Sequence, residues 1–438
     1  MTPHDVRTAD LAALRALPAE DLAETLYRLD SAELATLFAH VGDEALADLL
    51  AELDVHDAAR LITKLSRAQA ADVLEEMDPD DAVDVVAELP PATAEAVLFE
   101  MEPTDAEDVR ALMAYPEDSA GRLMTPDVVA LAPDLTADEA LYRLRTLAEQ
   151  AETIYYSYVT DPATQRLLGV LSLHRLVLSR ADTPIRELMI ADPIKIRADA
   201  SQVEAARLLD QHHLLAIPVV DAADRLVGMV TADDAAEVLL EEAGEDIERL
   251  GGSQPLDEPY LRASITHLFR KRIVWLLLLF VAEAYTGSVL RFFEETLSEQ
   301  IALAFFIPLL IGTGGNTGSQ TVTLLVGALR VGEVAFHDLA RVLRREIVVG
   351  LLLGGVMGAA TYVRAWTLGV GLEVGPVVAV TAACIVLWAA AVAAVLPLVL
   401  HRLRLDPAVI SAPLITTLVD GTGLVIYFSL ARWMLGLS

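Results

Sequence analysis

The residue that first calls for a chemical explanation is Asp420, in the middle of a long apolar stretch near the C-terminus. The stretch reads DPAVISAPLITTLVDGTGLVIYFSLAR and is long enough for a membrane-spanning helix, which needs about 20 apolar residues. A carboxylate at that depth is costly unless it faces water, a cation or a polar partner. Asp420 therefore predicts a functional site within the membrane. The alternative is a carboxylate neutralised by a nearby Arg or by a helix N-terminus.

The residues around Asp420 favour a cation. Pro413 and the pair Gly421 and Gly423 are expected to loosen the helix, and Thr416 and Thr417 add hydroxyl groups. Backbone carbonyls are freed at membrane depth only where they line a cavity or are buried in protein. A hard cation such as Mg²⁺ prefers this combination of one carboxylate, other oxygen atoms and retained water.

A second polar insertion, IPLLIGTGGNTGSQTVTLL, lies in an earlier apolar stretch. Pro308 and four glycines are expected to break or thin this helix. Small residues also allow helices to pack closely in membranes, but the dense Asn, Thr, Ser and Gln content favours a pore-facing role. The pore-lining candidates of the two insertions are Gly315, Asn316, Thr317 and Thr417. Glu283 is a further acid within a predicted span.

The composition divides the chain into an acidic first part and an apolar second part. The 438 residues carry a net charge of −32, and up to Tyr260 there are 54 Asp and Glu against 19 Lys and Arg. Such a surface repels nucleic acid and attracts cations, although a salt-adapted acidic protein would show a similar excess. The polar residues 1–25 predict no signal peptide. The single cysteine, Cys384, excludes a disulfide or a Cys-based metal site within one chain.

Large apolar residues recur every 12 positions in the first 120 residues, from Leu17 to Met113. Most are followed by a helix-start signal such as Asp-Pro, Pro-Pro or Glu-Pro. This pattern predicts short helices of about nine residues that stack as a solenoid. Its acids are densest at Asp78, Asp80, Asp81 and Asp84. Asp80 and Asp84 share one helix face, where they repel each other unless a cation bridges them.

Two α/β repeats, offset by about 65 residues, follow between residues 121 and 250. Each ends in two short strands, within 155–173 and 215–234. Their β-α-β-β-α order resembles a CBS-domain pair, a regulatory module that often binds adenine nucleotides. The segment GMVTADD, with Thr231 and Asp234, resembles the ribose-binding signature. The first repeat has Arg175 where that signature expects an acid, which disfavours ATP.

Five spans are predicted after an acidic linker helix at 237–252, at about 273–290, 301–326, 346–368, 376–400 and 408–431. Lys and Arg concentrate in alternate connections, at Arg270, Lys271 and Arg272, at Arg330, Arg341, Arg344 and Arg345, and at Arg402 and Arg404. The positive-inside rule then places the soluble part in the cytoplasm and the C-terminus outside.

Together, IPLLIGTGGNTGSQ, DPAVISAPLITTLVDGTGLVIYF and the order of segments resemble the MgtE family of magnesium channels and transporters. The resemblance implies a multidomain α-helical membrane protein of the cytoplasmic membrane. Its expected parts are an acidic helical solenoid N domain (1–122), an α/β CBS-domain pair (123–249), a connecting plug helix (250–271) and a five-helix transmembrane domain (272–438).

The same resemblance implies a homodimer with Asp420, helped by the Thr416 carbonyl, holding hydrated Mg²⁺ in a pore on the two-fold axis. Cytosolic Mg²⁺ would close the pore by binding between acids of the N domain, CBS pair and plug, which fall on Asp48, Asp80, Asp84, Asp234, Glu242, Glu245 and Asp246. The second CBS repeat departs from the family at Ser201, Val203 and His213, which predicts that its metal site is missing or altered.

Three other functions are weighed against Mg²⁺ uptake. A CBS-gated transporter of Co²⁺ or Mn²⁺ is the nearest, but no Cys or clustered His lies near Asp420 in the sequence. An intramembrane hydrolase would need a second catalytic group beside Asp420 or Glu283, and no protease motif accompanies either acid. A non-conducting Mg²⁺ sensor would have no use for a plug. The sequence therefore predicts a transporter and not an enzyme.

Overall fold

The computed structural model describes residues 14, 16–148, 151–256, 258–370, 372–403 and 412–437. The N-terminal residues 1–13, Arg404 and the predicted beginning of the last span (408–411) lie outside the described residues. The chain divides into two compact units, Met1–Glu242 and Ala243–Ser438.

Short helices follow one another from Ala19 to Met113 in the first unit. Within the described part of the chain they are α1 (Ala19–Tyr27), α2 (Ser31–Val41), α3 (Asp43–Ala51), α4 (Val55–Ile62), α5 (Arg67–Glu75), α6 (Pro79–Glu88), α7 (Pro91–Glu100) and α8 (Pro103–Met113). Proline occupies the first position of α6, α7 and α8, where its missing N–H is not needed. The repeat of short helices predicted from the sequence is confirmed.

The 12-residue repeat sets the core of this helical stack. Leu29, Leu53, Met77, Leu89 and Met101 are each less than 10% exposed. Each of these residues lies just after one helix and just before the next. Successive helices therefore share the apolar layer that these side chains form.

Two small sheets follow the stack and form the α/β repeats. The first contains β1 (Ala130–Leu131), β2 (Tyr156–Thr160), β3 (Leu167–Ser172) and β4 (Ile190–Ala191), and the second contains β5 (Ile196–Arg197), β6 (Ala216–Val220) and β7 (Leu226–Thr231). In each sheet the first pair is parallel and the next pair antiparallel. Helices α9 (Ala137–Leu147), α10 (Leu173–Leu178), α11 (Ile185–Leu188) and α12 (Gln202–His212) accompany them. Strands β2, β3, β6 and β7 fall within the two predicted ranges, 155–173 and 215–234, whereas β4 was not predicted.

The acidic linker helix predicted at 237–252 is present, but the separate plug helix predicted after it is not. Helix α13 runs from Ala232 to Leu250, whereas the prediction placed a plug helix at 250–271. Gly251 and Gly252 end α13, and Gly252 adopts a φ of +77° that favours glycine. No helix is assigned to the described residues between 251 and 264, and the next helix begins at Ile265. The prediction of a plug helix at 250–271 is therefore wrong.

Five helices in the described residues are long and apolar enough to cross a membrane. They are α14 (Ile265–Phe292), α16 (Ile307–Arg330), α17 (Leu339–Leu368), α18 (Val374–Arg402) and α19 (Ala412–Leu435). A short helix α15 (Glu294–Glu299) and a 3₁₀ turn (Ile301–Phe306) precede α16, and another 3₁₀ turn (Phe336–Asp338) precedes α17. The helices extend beyond most of the predicted bounds, because their polar ends continue the helix past the apolar core.

Neither polar insertion breaks its helix. Pro308 and Pro413 lie in the first turns of α16 and α19, where proline is tolerated. The glycines of α16 instead allow close packing, because a Cβ on Gly314 would lie 2.5 Å from Ile385 Cγ2 and one on Gly318 would lie 2.5 Å from Ile415 Cγ2. The prediction of broken helices is wrong, and the alternative of close packing explains these glycines.

Candidate functional site

An acidic cavity of about 590 Å³ lies in the first unit. Its walls come from the start of α6, from the segment before β2 and from the turn between β7 and α13. The carboxylates that line it are Asp78, Asp80, Asp81, Glu152, Asp233 and Asp234. We call these residues the acidic cluster. The turn after β7 is held locally, because the Thr231 hydroxyl donates a hydrogen bond to Asp234.

Burial and mutual repulsion act together on the acidic cluster. Burial, followed by the nearby carboxylates of Asp234 and Glu152, raises the pKa of Asp80 well above its ordinary value. Burial and the charges of Asp78 and Asp234 raise the pKa of Asp81 to about 7. Burial, opposed by a hydrogen bond from Thr125, raises the pKa of Glu152 to about 8. At neutral pH Glu152 therefore favours its protonated form unless a cation is close, and protons compete with cations for all three groups.

Two oxygen atoms of the acidic cluster point to cation binding. Asp80 Oδ1 and Glu152 Oε2 are buried, and neither has a hydrogen-bond partner in the structure. Buried polar atoms are rarely left unsatisfied, and Mg²⁺ binds one or two carboxylates while keeping several water molecules. Among the described residues, no three His, Cys, Asp or Glu side chains converge on one metal position. An ion in this cavity would therefore keep water in its coordination shell.

The other predicted regulatory residues of the first unit have different surroundings. The Arg122 guanidinium, 6% exposed, lies 3.1 Å from Asp84 Oδ1 and also donates to the Val83 carbonyl. Burial raises the pKa of Asp84, and the charge of Arg122 opposes that rise. Asp48 lies close enough to Asp78 to add to the repulsion at the edge of the acidic cluster. The structure thus brings Asp80 and Asp234 together and gives Asp84 an arginine partner.

The predicted acids near the end of α13 have partners within the chain. Arg249 pairs with Glu245 at 2.6 Å, and Arg330, at the end of α16, pairs with Asp246. Both side chains of the second pair are mostly buried, with exposures of 22% for Arg330 and 15% for Asp246. Glu242, one turn before Glu245 on α13, is half-buried. The ion pair to Arg330 therefore attaches the end of α13 to the second span.

The altered residues of the second repeat lie at opposite ends of α12. The Ser201 hydroxyl accepts a hydrogen bond from the Val203 backbone N–H and caps the helix. His213 ends it with a φ of 51°. An 11-residue helix is about 16 Å long, so Ser201 and His213 do not share one metal position. This placement agrees with the predicted loss of a metal site but does not test it.

A nucleotide triphosphate does not suit the acidic cluster. Thr231 and Asp234, which match the ribose-binding signature, line this cavity among carboxylates that would repel phosphate. Arg175, the cation of the first repeat, donates to the Leu188 carbonyl at 3.0 Å. A neighbouring apolar cavity of about 490 Å³ is lined by Tyr155, His174 and Leu215 among others.

In the second unit, Asp420 lies in the middle of α19, half-buried. Its Oδ1 atom is buried and has no hydrogen-bond partner. Helix α19 packs against α14, α16 and α18. No group among the described residues hydrogen-bonds to this oxygen atom, so the carboxylate is available to a cation or to water.

The pore-lining candidates around Asp420 differ in exposure. Asn316 is exposed, whereas Gly315 and Thr317 are buried. A Cβ on Gly315 would lie 2.8 Å from Thr416 Cγ2, so the two helices touch there. The hydroxyls of Thr317, Thr416 and Thr417 each donate to the backbone carbonyl four residues earlier, at 2.9, 2.9 and 3.0 Å. Asn316 is thus the candidate whose side-chain amide is exposed and can contact an ion, water or another chain.

The sequence analysis missed Asp81 and Glu152 as site residues. Asp81 was visible as one of four crowded acids on α6. Glu152 lies between helix α9 and strand β2, three residues after Glu149, and only tertiary folding brings it to Asp80 and Asp234. No sequence signal distinguishes it from the other surface acids of this part of the chain.

The fold and these sites define a multidomain membrane protein in which a CBS pair connects an acidic helical domain to five apolar spans. Known family descriptions match three parts of the chain: MgtE intracellular N domain at residues 17–118, CBS domain at 120–182 and 185–241, and MgtE, divalent cation transporter, at 307–430. The chain belongs to the MgtE family.

Individual relatives support this assignment. The chain is 44% identical to the magnesium transporter MgtE of Thermus thermophilus over 325 residues, which is 74% of this chain and 72% of that protein. It is 36% identical to the Bacillus subtilis magnesium transporter MgtE, covering 73% of this chain and 70% of that protein. A crystal structure of the soluble part of a magnesium transporter matches 55% of this chain and 96% of its own length, with a TM-score of 0.50 and 28% identity.

Proposed function

We propose that the chain is a Mg²⁺ channel of the cytoplasmic membrane that works as a homodimer and takes up Mg²⁺ down its electrochemical gradient. The observation that carries this proposal is the unsatisfied buried oxygen of Asp420 at membrane depth. A carboxylate is retained there when it serves an ion path. The names of the relatives, both magnesium transporters, indicate the ion.

Asp420 supplies the charge that offsets the partial dehydration of the ion. The Thr416 carbonyl and Asn316 line the path beside it, with Gly315, Thr317 and Thr417 shaping the helix contact. Because Mg²⁺ loses water reluctantly, a path with one charged group and neutral oxygen atoms holds it as a hydrated ion. The positive ends of the spans, at Arg270, Lys271 and Arg272, orient the soluble part to the cytoplasm and the C-terminus outside.

Cytosolic Mg²⁺ closes the channel by binding to the acidic cluster and to acids of α13. Asp80 and Asp234 repel each other without a cation, and a divalent ion between them favours the compact arrangement. Asp48, Asp84, Glu242, Glu245 and Asp246 contribute to the same response. Asp84 and Asp246 do so by exchanging their arginine partners for the ion. The regulatory ligand of this proposal is Mg²⁺.

Flux into proteoliposomes tests the proposal. Purified protein should carry Mg²⁺ when Mg²⁺ on the cytoplasmic face is low, and millimolar Mg²⁺ on that face should stop the flux. Competition with Co²⁺ and Mn²⁺ measures selectivity among divalent ions. Absence of Mg²⁺ flux under both conditions contradicts the proposal, and preferential flux of Co²⁺ or Mn²⁺ changes its ion.

A further inference from the structure

Glu283 lies deep in the first span and has no role in the function proposed above. It occupies helix α14 eleven residues after Arg272 and eight before Arg291. At 1.5 Å per residue these distances are about 16 and 12 Å, so the carboxylate lies within the hydrocarbon region. It is exposed on the single chain. An ionised carboxylate at this depth faces a water-filled path, a cation or protein, and not lipid.

The first and last spans touch next to Asp420. A Cβ on Gly421 would lie 3.3 Å from Thr286 Oγ1 and closer still to the Tyr285 ring. Glu283 and Thr286 share one face of α14, because residues three apart on a helix are neighbours. The side chains of Glu283 and Asp420 are close enough for their charges to interact. The contact therefore brings two acids from two spans to one place.

The hydroxyl of Thr286 gives independent evidence for a ligand at this contact. Thr286 is 7% exposed, and its Oγ1 atom is buried without a hydrogen-bond partner. Hydroxyls on membrane helices usually donate to the carbonyl four residues earlier, as Ser288 does on the same helix at 3.1 Å. Thr286 does not, and its hydroxyl instead points towards Gly421. Asp420 Oδ1, on the adjacent residue, also lacks a partner.

We propose that Glu283 is a second acidic residue of the ion path, which forms with Asp420 and the Thr286 hydroxyl a two-carboxylate site that selects divalent cations. Two carboxylates held together in a low-dielectric environment repel each other strongly unless a cation neutralises them. One divalent ion balances both charges, whereas one monovalent ion leaves a net negative charge in the membrane. The proposal rests on the proposed function, in which Asp420 lies in the ion path. It adds Glu283 as the residue that makes the path prefer divalent to monovalent cations.

Permeability ratios from reversal potentials of the full-length protein in planar bilayers test this inference. Glu283→Gln should lower the Mg²⁺ to K⁺ permeability ratio by about tenfold, which corresponds to about 1.4 kcal/mol. Glu283→Asp keeps the charge and should stay within about threefold of wild type. Glu294→Gln is the matched control, because it removes one acid from the exposed helix α15 outside the spans, and it should leave the ratio unchanged.

A double variant tests whether the two acids act on one ion. If they do, Glu283→Gln combined with Asp420→Asn should reduce the ratio no further than Asp420→Asn alone. Additive losses would contradict a shared site. If Glu283→Gln fails to elute as folded protein, Glu283→Asp decides: retention of the ratio supports the charge requirement, and its loss overturns it.

The two proposals fail in different ways. A wild-type protein without Mg²⁺ flux refutes the proposed function. A conducting wild type whose selectivity depends on Asp420, but in which Glu283→Gln behaves like Glu294→Gln, refutes only the role of Glu283.

Discussion

Raising the pH should destabilise the first unit when divalent cations are absent, because folding holds protons on the acidic cluster. Glu152 and Asp81 ionise near 4.5 and 3.8 when unfolded, but burial raises their pKa values to about 8 and about 7. Between pH 5 and 7 the folded state therefore binds more protons than the unfolded state. In that case the free energy of unfolding falls as pH rises.

The size of the effect follows from the number of protons. Each extra proton contributes about 1.4 kcal/mol per pH unit, so two give about 2.7 kcal/mol per unit as an upper bound. Because neither side chain is fully buried, solvent screening narrows the pH range over which the protons are held and keeps the total loss below this bound. Of these two side chains, Asp81 loses its proton near pH 7 and Glu152 near pH 8, so their contribution to the loss of stability should level off above pH 8.

Urea unfolding with pulse proteolysis of the full-length protein in detergent measures this stability at pH 6, 7 and 8. Without divalent cations the midpoint should fall from pH 6 to pH 8, and millimolar Mg²⁺ should restore more stability at pH 8 than at pH 6. Glu152→Gln, which cannot ionise, should flatten the pH dependence and raise stability at pH 8. A midpoint that is constant or rises with pH would refute the assignment of buried, protonated acids to the cluster.

Two further predictions concern the membrane unit. Gly318→Ala places a Cβ 2.5 Å from Ile415 Cγ2 and should lower stability by about 1 to 3 kcal/mol. Gly312→Ala meets no atom within 4 Å and should leave the melting temperature in detergent unchanged; equal losses would contradict close packing. Arg330→Gln should destabilise by roughly 2 kcal/mol, because its ion pair to α13 is mostly buried. Arg341→Gln, whose arginine is 81% exposed, should cost less than about 1 kcal/mol in the same melt, and a reversed order would be evidence against the attachment.

Local patterns in the sequence were sufficient to predict most of the fold. The 12-residue spacing and the Asp-Pro and Pro-Pro pairs mark helix starts such as Pro79 and Pro91, because these signals act within one turn. The strands of both repeats were predictable for the same reason. The order of domains and the five spans followed from the contrast between acidic and apolar segments.

The two errors in the predicted fold concern the prolines of the polar insertions and the plug helix. Pro308 was expected to break or thin its helix and Pro413 to loosen its own, but each lies in the first turn of its helix as the structure describes it, where proline is tolerated. The plug helix was placed after Leu250, although Gly251 and Gly252 mark the end of α13 in the sequence. The family resemblance was the source of the predicted plug helix. The local signal, the two glycines that end α13, was correct.

The sequence predicted the acids of the candidate sites better than their partners. Asp80 and Asp234 were predicted together, and the structure brings them to one cavity with Glu152. The partner of Asp84, Arg122, lies 38 residues away and has no sequence signal. Asp420 stood out in the sequence because a single acid within a membrane-spanning helix is costly whatever the fold. Its proximity to Glu283, in contrast, depends on how α14 packs against α19.

The measurement that tests the central claim most directly is Mg²⁺ flux through wild type and Asp420→Asn in proteoliposomes with low Mg²⁺ on the cytoplasmic face. The amide keeps the shape of the side chain and removes its charge, so the ion loses the group that offsets its dehydration. We predict Mg²⁺-selective flux in wild type, and at least about a tenfold lower Mg²⁺ to K⁺ selectivity in the variant. Unchanged selectivity in a folded Asp420→Asn protein would contradict the assignment of Asp420 as the ion site.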